Sequence, residues 1–231
     1  MTTALGIASI PERTAGLARV IRRLLPQVDH AYVYLDKYPA VPSFLDDPRI
    51  TVYESHLHGN HGGPGKFLGA LEHEGYYVTV DDDIKYPRNY VEVMREVVAQ
   101  GDNRVCAGVH GVILDASVTN YYRHRTLFHF RKRLRVQTPV HLMGTGTLCF
   151  HAGVVRVSSN WLQHDQRFSD ITISLDLEQQ KIPRVCVARK AKWLKPLQEK
   201  EPQQTLFGQG TRDPAPATQL VNSIHWKKLA A

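Results

Sequence analysis

From residue 5 to residue 109 the chain alternates short apolar runs with stretches of helical periodicity, and that order leaves few folds open. Residues 5–10 form a short apolar run closed by Pro11, the signature of a buried strand. Residues 17–25 repeat apolar side chains at 17, 20, 21, 24 and 25, which is one face of a helix. Residues 31–35 (AYVYL), 50–53 (ITVY), 76–80 (YYVTV) and 105–109 read as further strands, and 66–73 and 90–98 as helices. Strands alternating with helices predict an α/β fold with a mainly parallel central sheet covered by helices on both faces. With 42% apolar and 22% charged residues, the chain can bury such a sheet, and wholesale disorder is excluded.

The second half is less regular. Residues 112–135 combine turn residues with a basic-aromatic stretch. Residues 140–150 (VHLMGTGTLCF) read as a strand broken by Gly144-Thr145-Gly146. Residues 171–180 read as a helix with Ser169 or Asp170 as its N-cap. Residues 184–188 read as a last short strand. After residue 197 the composition turns to Gln, Pro, Gly and Thr, which reads as a loop or tail, with residues 220–226 able to dock back. Cys106, Cys149 and Cys186 are too few and too scattered for a disulfide framework and read as reduced thiols. The N-terminus has no basic start followed by a long apolar run, and no apolar stretch reaches the roughly 20 residues that span a bilayer. The expected location is cytoplasmic, with any membrane contact peripheral.

The most informative motif is Asp81-Asp82-Asp83, directly after the strand at 76–80. In open α/β sheets, ligands gather outside the carboxyl ends of the strands. Three adjacent carboxylates repel one another unless a cation shares them. In an extended segment Asp81 and Asp83 face the same way, and hard oxygen ligands suit magnesium, manganese or calcium. The bland alternative is a solvated acidic turn at a strand end.

The string DDDIKYPRNY (81–90) resembles a bacterial subgroup of the GT-A-fold nucleotide-sugar glycosyltransferases, a family-2-like group with a DDDIxYP motif. SIPER (9–13), GGPGKF (62–67), VHG (109–111), GTGT (144–147), FSD (168–170) and IPRVCVARKAKWL (182–194) are similar in the same order. The resemblance covers roughly residues 5–195. It implies a single GT-A-like (Rossmann-like) domain over 1–197, with 1–111 as its nucleotide-binding half and 112–197 as its acceptor half, followed by a C-terminal loop or tail at 198–231. It implies an EC 2.4-type activity that uses Mn²⁺ or Mg²⁺ to transfer a sugar from a nucleoside-diphosphate sugar, with UDP-sugar the default donor, to a hydroxyl acceptor. By the same resemblance Ile10, Pro11 and Arg13 hold the base and ribose, Asp36 faces the base, Asp83 binds the metal, and Asp81 contacts ribose or metal. Asp170 falls where a catalytic base is expected, and Asp82 belongs with the donor sugar and acceptor. A C-terminal histidine completes the metal shell in some members, which makes His225 a third metal candidate.

Other signals carry two readings each. Lys66 ends a glycine-rich loop and opens a helix, which suits a phosphate, although residues 60 and 67 do not fit a P-loop; the alternative is a surface lysine. His110, Gly144, Thr145 and Gly146 can wall the donor sugar and acceptor or form a simple bulge. His56, His58 and His61 crowd one loop, but without a fourth ligand they read as surface histidines. Lys and Arg outnumber Asp and Glu by 29 to 22. Arg123, Arg125, Arg131, Lys132, Arg133 and Arg135 supply six of those cations with no acid among them, so the rest of the chain is nearly neutral. Interleaved with Tyr121, Tyr122, Phe128 and Phe130, this strip favours an anionic acceptor: a polysaccharide or other glycan, a lipid-linked glycan or a nucleic acid. It keeps two alternatives open, glycosyl transfer to hydroxymethylated DNA bases and a nucleic-acid-binding module through residues 121–135. The alternative reading of the strip is a solvated loop with its aromatic side chains docked on the core.

Overall fold

Strand β1 (Thr3–Ser9) lies between two parallel neighbours, β2 (His30–Leu35) and β4 (Tyr76–Asp81), in a computed structural model that describes residues 1–163, 166–198 and 211–229. β3 (Ile50–Glu54) extends this side in parallel beyond β2. The full order of the eight-stranded sheet is β3-β2-β1-β4-β11-β6-β12-β9, with β6 at Cys106–Gly108, β9 at Thr138–Pro139, β11 at Leu148–His151 and β12 at Arg184–Cys186. β11 runs antiparallel to both β4 and β6, so β6 points the same way as β1, β2 and β4. Two small sheets complete the chain. One joins β10 (Leu142–Met143), β7 (Gly111–Leu114) and β8 (Arg125–Phe128); the other pairs β5 (Ile84–Lys85) with β13 (Lys195–Pro196). This is the mainly parallel, helix-covered α/β sheet of a Rossmann-like domain.

The period-2 alternation of the strands divides their side chains between two cores. Leu5, Ile7, Val78 and Val80 face the helices Thr14–Leu24 and Tyr90–Gln100, which bury Leu17, Val20, Ile21 and Leu24, and Val91, Met94 and Val98. Ala4, Tyr77 and Phe150 face the other way, onto Phe67, Trp161 and the Ser169–Gln179 helix through Ile173 and Leu177.

Four departures from the sequence reading have local causes. The segment around Lys66 is a 3-10 helix, Gly63–Leu71. Gly65 and Gly69 press against the rings of Tyr34 and Tyr32, where any β-carbon would collide. The Ser169–Gln179 helix has Phe168 at its N-cap position, with no side-chain cap; Asp170 lies in the first turn and its carboxylate is used elsewhere. The basic strip contains β8, paired antiparallel with β7. The C-terminal segment is not all loop. Helix Ala215–Val221 buries Ala217 and Val221 against Leu114, Tyr121, Leu142, Phe168 and Ile171, while residues 199–210 and 230–231 of the expected tail lie outside the described residues. No helix among the described residues is long and apolar enough to cross a membrane. All three cysteines are free and buried.

Candidate functional site

The carboxyl ends of β1, β2 and β4 bring Ser9, Asp36 and Asp81 to one edge of the sheet, and His110 follows β6 at the same edge. Because β11 is reversed, the 3-10 turn Thr145–Thr147 that precedes it also sits there. The topology therefore gathers segments spread over more than half of the sequence.

Each of the three carboxylates has a cationic or hydroxyl partner. The Lys66 ammonium, itself buried, forms a salt bridge with Asp81 Oδ1. Arg13 Nη1 lies 3.0 Å from Asp82 Oδ1 and 3.4 Å from Asp83 Oδ2. Ser9 Oγ donates to Asp82 Oδ2 at 2.6 Å. Asp82 is 3% exposed, and burial pushes its carboxyl above the usual range, against the Ser9 and Arg13 interactions that pull it down. These contacts add to the sequence reading in three places. Asp82 is buried at the β4 turn, held by Ser9 and Arg13. The Arg13 guanidinium faces Asp82 and Asp83. The cations that relieve the carboxylate triplet include two from the protein, Lys66 and Arg13.

Asp81 and Asp83 keep side-chain exposures of 38% and 33%, in contrast to Asp82. No group of three His, Cys, Asp or Glu side chains converges to hold a metal among the described residues. His225 in particular does not join the carboxylates. Its neighbour Trp226 packs on His141, and the Lys227 N–H donates to Glu178, near the far end of the helix that begins at Ser169. His61 is tied to the carbonyls of His58 and Leu162.

Gly144-Thr145-Gly146 closes over Asp81. A β-carbon on Gly146 would fall inside the Asp81 carboxylate, so any larger residue there would force that carboxylate to move. The Gly146 carbonyl accepts from Tyr86 Oη at 2.8 Å, and the same hydroxyl accepts from the Asp81 N–H at 2.9 Å. The sequence motifs do not single out Tyr86; its only cue is its place within DDDIKYP. Thr79 Oγ1 donates to the Thr145 carbonyl at 2.6 Å, which ties the turn to β4.

Asp170 completes the arrangement. Its Oδ1 accepts from the Thr145 N–H at 2.8 Å and from Thr145 Oγ1 at 2.9 Å. Burial pushes the carboxyl above the ordinary range; the Thr145 hydrogen bonds oppose that, Asp81 adds to it and Lys66 opposes it. The influence of Asp81 and Lys66 places all three groups in one electrostatic neighbourhood. His110 feels Asp81 too, but burial, with Arg125 and Arg189, pushes it down to about 4, so it is a neutral imidazole near pH 7. It packs edge-on against His129, itself pushed down to about 4 by burial and its cationic neighbours.

Of the remaining candidates, Ile10 and Pro11 follow β1 at the site edge, and Ile10 is 38% exposed. Asp36 is 7% exposed, and its Oδ1 is buried without a hydrogen-bond partner among the described residues. In the basic strip the cations and aromatics separate. Arg123, Arg131, Lys132, Arg133 and Arg135 are exposed, whereas Tyr121 is buried and Phe128 and Phe130 pack on the cores. The Arg125 guanidinium covers the Tyr121 ring at 4.1 Å. These rings are committed to the fold.

No family model matches the chain, and no curated protein matches it. Solved structures do. CMP-2-keto-3-deoxy-manno-octonic acid synthetase complexed with CTP superposes with a TM-score of 0.52 at 12% identity, over 80% of this chain and 88% of that one. At that identity the likeness is one of fold.

Proposed function

We propose that the chain is a metal-dependent glycosyltransferase that moves a sugar from a nucleoside-diphosphate sugar, UDP-sugar by default, to a hydroxyl acceptor. The carrying observation is the Asp170 carboxylate, fixed through one oxygen by Thr145 and set beside Asp81 and Lys66. Its Oδ2 has no protein partner among the described residues. A carboxyl raised above its ordinary range is a better base than a solvated one. Asp170 Oδ2 takes the proton of the acceptor hydroxyl while that oxygen bonds to the anomeric carbon. The bond from that carbon to the diphosphate oxygen breaks, and the diphosphate leaves with the electron pair.

Asp81 and Asp83 are the residues that would hold Mn²⁺ or Mg²⁺. They offer partly exposed hard-oxygen donors, and such ions commonly take one or two carboxylates with phosphate oxygens and water filling the other positions. A metal there supplies neutralisation of the charge that develops on the leaving diphosphate. Lys66 and Arg13 add fixed positive charge at the same edge. The orphaned Oδ1 of Asp36 suits an N–H or hydroxyl donor of the base or ribose. Ile10 and Pro11 would flank the nucleoside, and His110, Gly144 and Gly146 the sugar. The exposed cations of residues 123–135 favour an anionic acceptor.

The fold shared with a CTP-bound CMP-sugar synthetase favours a second reading, nucleotidyl transfer with release of pyrophosphate. Against it, the turn after β1 carries SIPER rather than a glycine-rich basic loop, and its one arginine is engaged by Asp82 and Asp83. Thermal-shift screening with Mn²⁺ separates the two. Stabilisation by UDP, GDP or CDP that requires Mn²⁺ is expected. Stabilisation by CTP alone would favour nucleotidyl transfer, and stabilisation by DNA alone would favour a nucleic-acid-binding module.

A further inference from the structure

A groove of about 700 Å³ runs beside the Thr14–Leu24 helix, outside the site just described. Arg19, Arg22 and Arg23 line one wall, and Lys85 and Arg88 line the other. The helix buries Leu17, Val20, Ile21 and Leu24, which leaves these arginines on its outer side. Arg19 stands three and four residues before Arg22 and Arg23, the spacing at which like charges meet on a helix surface and repel. No acidic residue lines the groove. Among the described residues, none of the five cations forms a salt bridge.

The walls are stitched together by a neutral group. Gln27 Nε2 donates to the carbonyls of Arg23 and Pro87, each at 3.1 Å, and Gln27 Oε1 accepts from the Val91 N–H at 3.1 Å. The groove therefore concentrates positive charge on a braced frame without an internal counter-charge. Tyr86 separates it from the carboxylate site. The residue lines the groove, while its hydroxyl bonds Asp81 N–H and the Gly146 carbonyl.

We propose that this groove binds a ligand bearing two or more phosphate groups, at a site distinct from Asp81, Asp83 and Asp170. Guanidinium forks match phosphate oxygens. One monoanion would leave most of five charges unmatched, whereas a diphosphate or longer chain offers several anionic oxygens to match them. A soluble polyphosphate and the diphosphate headgroup of a lipid carrier present the same chemistry.

The test has two arms on the full chain, both in EDTA so that no metal recruits phosphate to the carboxylates. Inorganic tripolyphosphate is titrated by calorimetry. Separately, the protein is sedimented with phosphatidylcholine vesicles with and without a polyprenyl diphosphate. Arg22→Glu with Arg88→Glu alters one exposed residue on each wall. Arg104→Glu with Arg156→Glu makes the same charge change elsewhere on the surface. Binding in at least one arm is expected, weakened about tenfold or more by the groove pair as two charge-assisted contacts become repulsive, and unchanged by the control pair. Asp83→Ala should leave it intact, so the outcome stands apart from the transfer reading. If the glutamate pair does not fold, Arg22→Gln with Arg88→Gln carries the same expectation. Binding in neither arm, or equal loss in groove and control pairs, would overturn the proposal.

Discussion

Asp170→Asn isolates chemistry from structure at the proposed base. Asparagine keeps the shape, and its carbonyl oxygen can still accept both Thr145 hydrogen bonds, now 2.8 and 2.9 Å long. What it loses is the negative charge and the ability to take a proton. The stability effect follows by linkage. Burial raises the folded-state pKa of Asp170 above its unfolded value even with the Thr145 bonds opposing, so the folded state binds this proton more tightly. The stability it contributes is present below the unfolded pKa and is lost as pH rises through the folded one. At neutral pH the ionised group is therefore a net cost, and the neutral variant should match or exceed the parent. We expect a change within about 1 kcal/mol of zero. That corresponds to a Tm shift of no more than about 2–4 °C for a chain of this size. Transfer should nevertheless fall by about 10²–10⁴-fold, the usual contribution of a positioned base. The assay is initial-rate sugar transfer beside thermal melts at neutral pH. Full activity in a stable Asp170→Asn protein would refute the reasoning and leave Asp170 as a brace for the Thr145 turn.

Three further outcomes follow from the same geometry. Gly146→Ala drives a methyl into the Asp81 carboxylate, so it should cost about 1–3 kcal/mol in a denaturant melt and weaken metal-dependent nucleotide binding; a neutral result would mean the turn yields freely. Because the base must be ionised, the transfer rate should decline as pH is lowered through an Asp170 pKa above the ordinary carboxylate range. His110, held near 4, should add no break close to neutrality, and a rate flat down to the ordinary carboxylate range would contradict this assignment. Burial pushes the Cys106 thiol up to about 12 and Cys186 up to about 11, so the native protein should resist thiol-specific reagents that label it fully once unfolded; rapid native labelling would oppose the buried placement.

The parts of the site that are legible in the sequence are those written in consecutive residues. The strand 76–80 shows its period, and the carboxylates that end it are adjacent letters, so the sequence alone puts Asp81 to Asp83 at a sheet edge. The same holds for Gly144-Thr145-Gly146, where two glycines interrupt an apolar run. The counter-charges are different. Lys66 lies 15 residues from Asp81, and Arg13 lies 69 residues from Asp82, so only the folded sheet reveals these pairs. Charge repulsion along the sequence points to a metal alone, because the lysine and arginine that share the load are far away in the chain. Motif order places Asp170, but its partner Thr145, 25 residues away, explains why it is not a helix cap. β8 is hidden in the sequence because its four residues include an arginine and alternate poorly, and its pairing with β7 spans a ten-residue loop. The helix Ala215–Val221 is too short for a clear period and takes its stability from the pocket made by Tyr121, Phe168 and Ile171.

The central claim is transfer from a nucleoside-diphosphate sugar at the Asp81, Asp83 and Asp170 edge. It is tested most directly by incubating the protein with UDP-sugars and Mn²⁺ and identifying the nucleotide released. The account predicts release of nucleoside diphosphate that needs the metal and disappears in Asp83→Ala. Release that persists in Asp83→Ala with no metal requirement, or formation of pyrophosphate from a nucleoside triphosphate in its place, would contradict it.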